Sequence, residues 1–403
     1  MKSEEEGIEQ MEFTYEGVKA QLIEDILPFW LKQVDTTHGG FYGLVDENLI
    51  VDEKADKSGV LMSRYLWALS AAYPYVKDSE ILNAARNVFD FIVNHMEDKE
   101  HEGIYWSVTY DGKPSVTQKH VYVQSFTIYA LSEYYKISQD PESLSLAVRL
   151  FNLIEEKAYL SDENGYHEEF SKEWKSSPAT LMGPKGTDEY FSTNTVLHLI
   201  EAYTNLYTVF ADDQLLALIK RLLDNISQYI ISPLGHCRTE FHRNWTALNE
   251  NISYAHDIET AWLLYRTLEV INQTDETYYT HKINQIVESV VEEGLDKNGI
   301  IIDQLKEGKK TTTKQWWSLA ESVIGFYDAF MRTSNKDYEE MAEKHWCFIQ
   351  NYLLNPVELS EWYPHVDEDG KIVQDKSTNI SDAWKGPYHT VRMYVEMIDR
   401  FSR

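Results

Sequence analysis

The sequence predicts an all-α fold: an (α/α)6 barrel of about twelve helices in six hairpins, with short β-hairpins in the long loops at one mouth. Three observations carry this prediction. Six amphipathic stretches open near Leu61, Tyr122, Phe191, His256, Trp316 and Pro387, each just after a loop rich in Gly, aromatic and polar residues. The openings fall about 60 to 70 residues apart, and a second helical stretch lies between each pair. The twelfth stretch, 387–401, is fully periodic, whereas an open solenoid needs atypical capping repeats. Repeats that close on one another share a continuous core, so residues 11–403 read as a single barrel domain. No Pro-rich or Gly/Ser-rich run divides it.

The opening helix spans roughly 10–34. In the first-set stretches 61–76, 123–137 and 195–210, apolar residues recur at three- and four-residue intervals, as one buried face requires. The second-set stretches 78–96, 141–159 and 212–230 open on Asp or Pro with acidic residues in the first turn, which are helix-start signals. The alternation continues through 256–272, 276–293, 315–332, 336–353 and 387–401. Links from the first set into the second are short, as in AYPYVKDSE. Links back are long, as in HEGIYWSVTYDGKPSVTQKHV, and several alternate apolar and polar residues around Asp111-Gly112 or Asp369-Gly370, which predicts β-hairpins. Gathered at one end of a toroid, such loops make a deep polar and aromatic cup.

Composition narrows the partners. A formal net charge of -29 argues against nucleic acid and against an anionic membrane, and disfavours a highly anionic substrate. No run approaches the apolar length of a membrane span. The first ten residues, MKSEEEGIEQ, are acidic, are expected to be disordered and lack the apolar core of a signal peptide, so a cytoplasmic location is expected. The two cysteines, Cys237 and Cys347, have no metal-ligand spacing and read as reduced thiols. There is no P-loop, dinucleotide fingerprint, HExxH or CxxC motif, and His38, His167, His242 and His365 form no ligand pair with helical spacing. No metal, no cofactor and no obligatory protein partner are expected.

Among 13 histidines, His198, His256 and His389 stand out, because each lies within about two turns of the start of a first-set helix, beside the long-loop mouth. One such histidine is usually a hydrogen-bonded structural residue. Three at the same position of different repeats favour acid/base work, since an imidazole near a helix N-terminus is biased towards its neutral, basic form. Glu259, three residues after His256, shares its helix face and is expected to orient it, while Asp257 is expected to cap the helix or point away. Asn194 is a sugar-hydroxyl ligand or a helix cap, and Arg64 an oxyanion stabiliser or a salt bridge at the helix start. Trp316, Trp317, Glu321 and Trp384 bring aromatic faces and a carboxylate to the same mouth, a mixture suited to pyranose rings.

The blocks YVQSFTIYALSEYYK, NTVLHLIEAYTNLY, SYAHDIETAWLL, QWWSLAES and AWKGPYHTVRMYVEM resemble the N-acylglucosamine 2-epimerase superfamily, and within it the cellobiose 2-epimerase branch. The resemblance runs from about Phe13 onward in the family's order and spacing. It implies an (α/α)6 barrel that inverts C2 of the reducing-end sugar of β-1,4-linked disaccharides without a metal. It further implies that His256 and His389 are the acid/base pair and that His198 helps ring opening or holds the enediolate. Arg64 would stabilise the enediolate oxygen, Glu259 would support His256, and Trp317, Glu321 and Trp384 would bind sugar. Tyr122 and Trp262 fall in matching blocks. The sequence departs from the family at Val196, where a second histidine is usual.

Competing readings share the scaffold. A monosaccharide 2-epimerase or a mannose–fructose isomerase would use the same enediolate, the isomerase returning the proton to C1. A glycoside hydrolase would work through two carboxylates, which 66 acidic residues readily supply, though none is singled out by position. A sugar-binding barrel without catalysis would have no need of both histidines.

Overall fold

The computed structural model describes residues 11–355, 361–373 and 378–403; the acidic segment 1–10 lies outside them. Among the described residues there are twelve helices. The outer ones are α1 (15–31), α3 (79–96), α5 (Pro141–Lys157), α7 (213–230), α9 (Thr277–Glu293) and α11 (Lys336–Tyr352). The inner ones are α2 (Gly59–Val76), α4 (Val121–Ser138), α6 (Thr193–Tyr207), α8 (Tyr254–Val270), α10 (Trp316–Thr333) and α12 (Pro387–Phe401). Side chains fix several starts: Asp78, Asp140 and Asp212 cap outer helices, and Ser58, Ser192 and Ser253 cap inner ones by accepting an N–H one turn on. Helices α1, α3 and α7 each contain one wide turn bonded from residue i to i−5, as where Leu27 N–H reaches the Leu22 carbonyl.

Each inner helix packs on the next, and α12 packs on α2, so the ring is closed. This is the (α/α)6 barrel expected. The amphipathicity is distributed differently from the expectation. Every residue of α2 from Gly59 to Ala72 is buried, whereas α3, α7 and α9 bury one stripe. An inner helix is covered by the outer ring on one side and by its neighbours on the others, so one buried face describes only the outer set. Close approach within the inner ring has a residue-level cause. A Cβ on Gly325 of α10 would lie 2.5 Å from Ile258 Cγ1 of α8.

Short strands precede the inner helices, and they do more than form local hairpins. The two predicted turns are present: Gly112 takes φ 84° between paired strands, and Gly370 takes φ 81° between Val366 and Ile372. Other pairings stitch each repeat to the next. The strand before α2 (Lys57–Ser58) pairs with Ser107–Val108, that before α4 (Lys119–His120) with Glu169–Phe170, and that before α6 (Tyr190–Ser192) with Glu240–His242. The strands before α8 and α10 pair likewise with Gln304–Lys306 and His365–Val366. Before α12, Ser381 bridges to Val45 in the loop after α1, completing the circle.

Four inner helices have a buried lysine two residues before their start, three of these lysines in the short strands and the fourth, Lys385, in the loop before α12. Lys57 meets Asp35 at 2.8 Å, Lys119 meets Asp98 at 2.9 Å, Lys314 meets Asp296 at 2.7 Å and Lys385 meets Glu361 at 3.0 Å. Asp35, Asp98 and Asp296 lie in the turn after the preceding outer helix and Glu361 lies in the longer loop after α11, so the pairs clasp the heads of these four inner helices in place. All six heads therefore converge at one mouth.

Candidate active site

The mouth narrows to a cavity of about 170 Å³, lined by residues from all six inner repeats: Arg64, Tyr122, Asn194 and His198, His256 and Glu259, Trp316 and Trp317, Trp384 and His389. Trp317 lies between two of the histidines, with its ring centroid 4.8 Å from that of His256 and 5.7 Å from that of His389. The Tyr122 ring meets His198 edge-on at 5.0 Å. Arg64 donates to Tyr122 Oη at 3.2 Å and to the Trp384 carbonyl, and its guanidinium lies over Phe126 at 4.7 Å. Among the described residues, Asn194 Oδ1 and Trp316 Nε1 are buried without a hydrogen-bond partner. An acceptor and a donor left over in one cavity suit a hydroxylated ligand.

Below the cavity lies a buried floor built around Arg392. Its guanidinium donates to Glu201 and Glu259, to Glu321 at 2.6 Å, and to Tyr388 Oη. The carboxylates carry histidines in turn: Glu201 holds His198 Nδ1 at 2.8 Å and Glu321 holds His389 Nδ1 at 2.7 Å. Trp262 Nε1 donates to Glu321 at 3.0 Å. Burial opposes ionisation of Glu201, yet Arg392 and His198 hold its carboxyl down at about 2. Burial also depresses His256, against the pull of Glu259, and depresses His389 strongly with Arg392 adding to it. Both imidazoles thus favour the neutral form, which removes a proton, and their protonated forms are correspondingly strong donors.

The arrangement offers two proton-transfer groups on either side of one aromatic ring, a guanidinium for a developing oxyanion, and unpaired polar atoms for hydroxyl groups. The profile of the N-acylglucosamine 2-epimerase (GlcNAc 2-epimerase) family matches residues 39–392. The chain belongs to that family. It is 34% identical over 384 residues to a cellobiose 2-epimerase of Ruminococcus albus, covering 95% of this chain and 98% of that one. It superposes on the cellobiose 2-epimerase of Bacillus thermoamylovorans with a TM-score of 0.92 at 35% identity, covering 96% and 99% of the two chains. A D-mannose isomerase at 20% identity, with a TM-score of 0.82, shares the fold. The protein is an epimerase, an enzyme of the isomerase class.

Nine of the epimerase's eleven sequence-predicted site residues line the cavity, and Trp262 and Glu321 lie in the floor beneath it. Two expectations about orientation change. Glu259 does not hold His256; it turns to Arg392, and Ser253 Oγ takes His256 Nδ1 at 2.7 Å. Asn194 is not the cap of α6, since Ser192 accepts the Thr195 N–H. Asp257 does point away, to His236 Nδ1 at 2.7 Å and the Cys237 N–H at 2.6 Å. Val196 is buried in the hydrophobic core and does not line the cavity, so the departure at that position leaves the cavity's polar lining intact. Sequence reasoning missed Glu201, Tyr388, Arg392 and Ser253. The first and third sit three residues after His198 and His389, the same spacing that singled out Glu259.

Among the described residues, one grouping, Glu259, Glu321 and His389, has metal-like spacing. The Arg392 guanidinium already bonds both of its carboxylates, so a cation would have to displace a buried positive charge. A second cavity, of about 140 Å³, lies at the opposite end of the barrel, and the floor residues Glu201 and Trp262 line it. None of the three histidines lines it. No helix among the described residues is long and apolar enough to cross a membrane.

Proposed function

We propose that the enzyme inverts C2 of the reducing-end glucose or mannose of β-1,4-linked disaccharides, with cellobiose, lactose and mannobiose as the substrate class. The observation that carries this reading is the pair His256 and His389 flanking Trp317 in a cavity that also holds Arg64. The relatives' names support the disaccharide. So does Trp384, an aromatic ring at the cavity wall that remains 39% exposed and is free to stack on a second sugar.

The sugar opens to its aldehyde, assisted by His198 on its Glu201 support. One of the pair removes the C2 proton; the C–H electrons move into the C1–C2 bond and the carbonyl electrons onto O1. Arg64 stabilises that oxyanion, without which a carbon acid α to an aldehyde is too weak for an imidazole. The cis-enediolate rotates about C2–C3, and the other histidine delivers a proton to the opposite face of C2. A single base would tend to restore the original configuration, which is why two are needed.

Proton NMR of the enzyme with cellobiose in D2O and EDTA tests the proposal. Loss of the C2 proton with appearance of a mannose-type anomeric pair is expected, at a rate EDTA leaves unchanged. Free glucose would indicate hydrolysis, and inert cellobiose with conversion of free mannose to fructose would indicate an isomerase; either result overturns it.

A further inference from the structure

The three histidines differ in what holds their inner nitrogen. His198 and His389 each rest on a carboxylate. His256 rests on a hydroxyl: Ser253 Oγ lies 2.7 Å from its Nδ1 and 3.3 Å from its backbone nitrogen. From this contrast we infer that Ser253 is a positioning residue of the reaction, one that fixes the proton of His256 on Nδ1 and leaves Nε2 as the basic nitrogen while adding no charge. The inference rests on the proposed acid/base role of His256.

The geometry specifies how. A serine hydroxyl has two lone pairs. One accepts the His256 N–H, which makes Ser253 the N-cap of α8. The other accepts Nδ1–H at 2.7 Å, a bond kept in both the neutral and the protonated imidazole. Strand pairing with Gln304 fixes the serine backbone in turn. The charged groups around His256 are engaged elsewhere. Glu259, on its own helix, bonds Arg392; Asp257 bonds His236; Asp303, from the loop after α9, takes the Ser318 hydroxyl at 2.7 Å. His198 of α6 is held by Glu201, and His389 of α12 by Glu321 across the Trp317 ring. A carboxylate in place of the hydroxyl would stabilise the imidazolium and hold the ring protonated. The hydroxyl orients the ring and lets it return to the neutral form after each proton transfer.

Three variants of the full-length enzyme separate this role from simple helix capping. Nitrogen-15 NMR of the imidazoles reads the tautomer, and pH profiles of kcat/KM read the titration. In the wild type His256 carries its proton on Nδ1. Ser253→Thr keeps that tautomer and most of the turnover. Ser253→Ala mixes the tautomers and lowers kcat roughly 10- to 100-fold with KM little changed. Ser253→Asp retains a good N-cap but gives Nδ1 a carboxylate, so the His256 titration and the acid limb of kcat/KM rise by about one pH unit or more, with Tm held. If Ser253→Ala keeps the Nδ1 tautomer and the pH profile and loses only thermal stability, or if Ser253→Asp leaves the His256 titration where it was, the serine is only a cap and the inference is wrong. The imidazole spectra need no substrate, so they report on Ser253 even if the proposed acid/base role of His256 fails.

Discussion

Arg392 shows how much one buried side chain decides. Three carboxylates meet its guanidinium, and two of them hold His198 and His389, so it fixes the cavity floor and two of the cavity's histidines together. Arg392→Met would strand Glu201, Glu259 and Glu321 without their cation. The expected cost is about 3–5 kcal/mol, read as a lowered urea midpoint, with Arg392→Lys intermediate. The histidine pair makes a sharper prediction. On the proposed two-base mechanism, His389→Asn leaves His256 to abstract a proton but nothing to return one to the other face. One epimer should then exchange its C2 hydrogen with solvent while inversion falls by about 10²-fold or more; equal loss of exchange and inversion would argue against two bases. The histidines themselves were legible because three repeats place them alike. Arg392 was not, because its partners come from α6, α8 and α10, and nothing in a linear spacing says that three carboxylates will converge.

At the scale of elements, Glu168 ties the head of α6 to the preceding loop. Its buried carboxyl accepts from the Ser192 N–H at 2.6 Å, from Ser192 Oγ at 3.0 Å and from Thr195 Oγ1 at 2.8 Å. Burial outweighs those donors and raises its pKa to about 7. A carboxyl with a folded pKa above its unfolded value of about 4.3 stabilises the fold most below that value. That contribution, about 4 kcal/mol, is lost as pH rises through 7. Glu168→Gln should therefore flatten the fall in urea-unfolding free energy between pH 5 and 7.5; an unchanged slope would show that Glu168 is ionised throughout. The clasp at α4 gives a second handle. Lys119→Met leaves Asp98, 1% exposed, without its cation and should destabilise by about 3–5 kcal/mol, while Lys119→Met with Asp98→Asn, which removes the charge and keeps Oδ1 for the Glu100 and His101 N–H groups, recovers most of it. The helices were readable to within a few residues, since capping residues and 3.6-residue periodicity are local. The strand stitching was not, because each strand is two or three residues long and its partner belongs to the next repeat. The lysine two residues before four inner helices is a pattern the sequence does display, and it marks those joints.

For the whole molecule the decisive feature is closure. In an open solenoid each repeat touches only its neighbours, and a terminal repeat can be removed at the cost of one interface. Here α12 packs on both α10 and α2, and the Ser381–Val45 bridge joins the last stitched strand to the first long loop. Tyr394 of α12 and Gln350 of α11 both bond Gln21 of α1, so the outer ring is joined at the same seam. Regular periodicity through 387–401 made a closed ring readable, although the contacts that close it are more than 300 residues apart in sequence. A chain ending before Pro387 would lose His389 and Arg392, expose the apolar flanks of α2 and α10, and leave Glu201, Glu259 and Glu321 in a floor without its cation. Such a chain should not settle into a shorter barrel. Its thermal melt, followed by circular dichroism, should lose the single cooperative transition of the full protein, and amide exchange should accelerate in α2 and α10 first. A truncated chain that still melts sharply, with α4 to α8 protected as before, would mean that the repeats stand as a stack and that the ring contributes little to holding them.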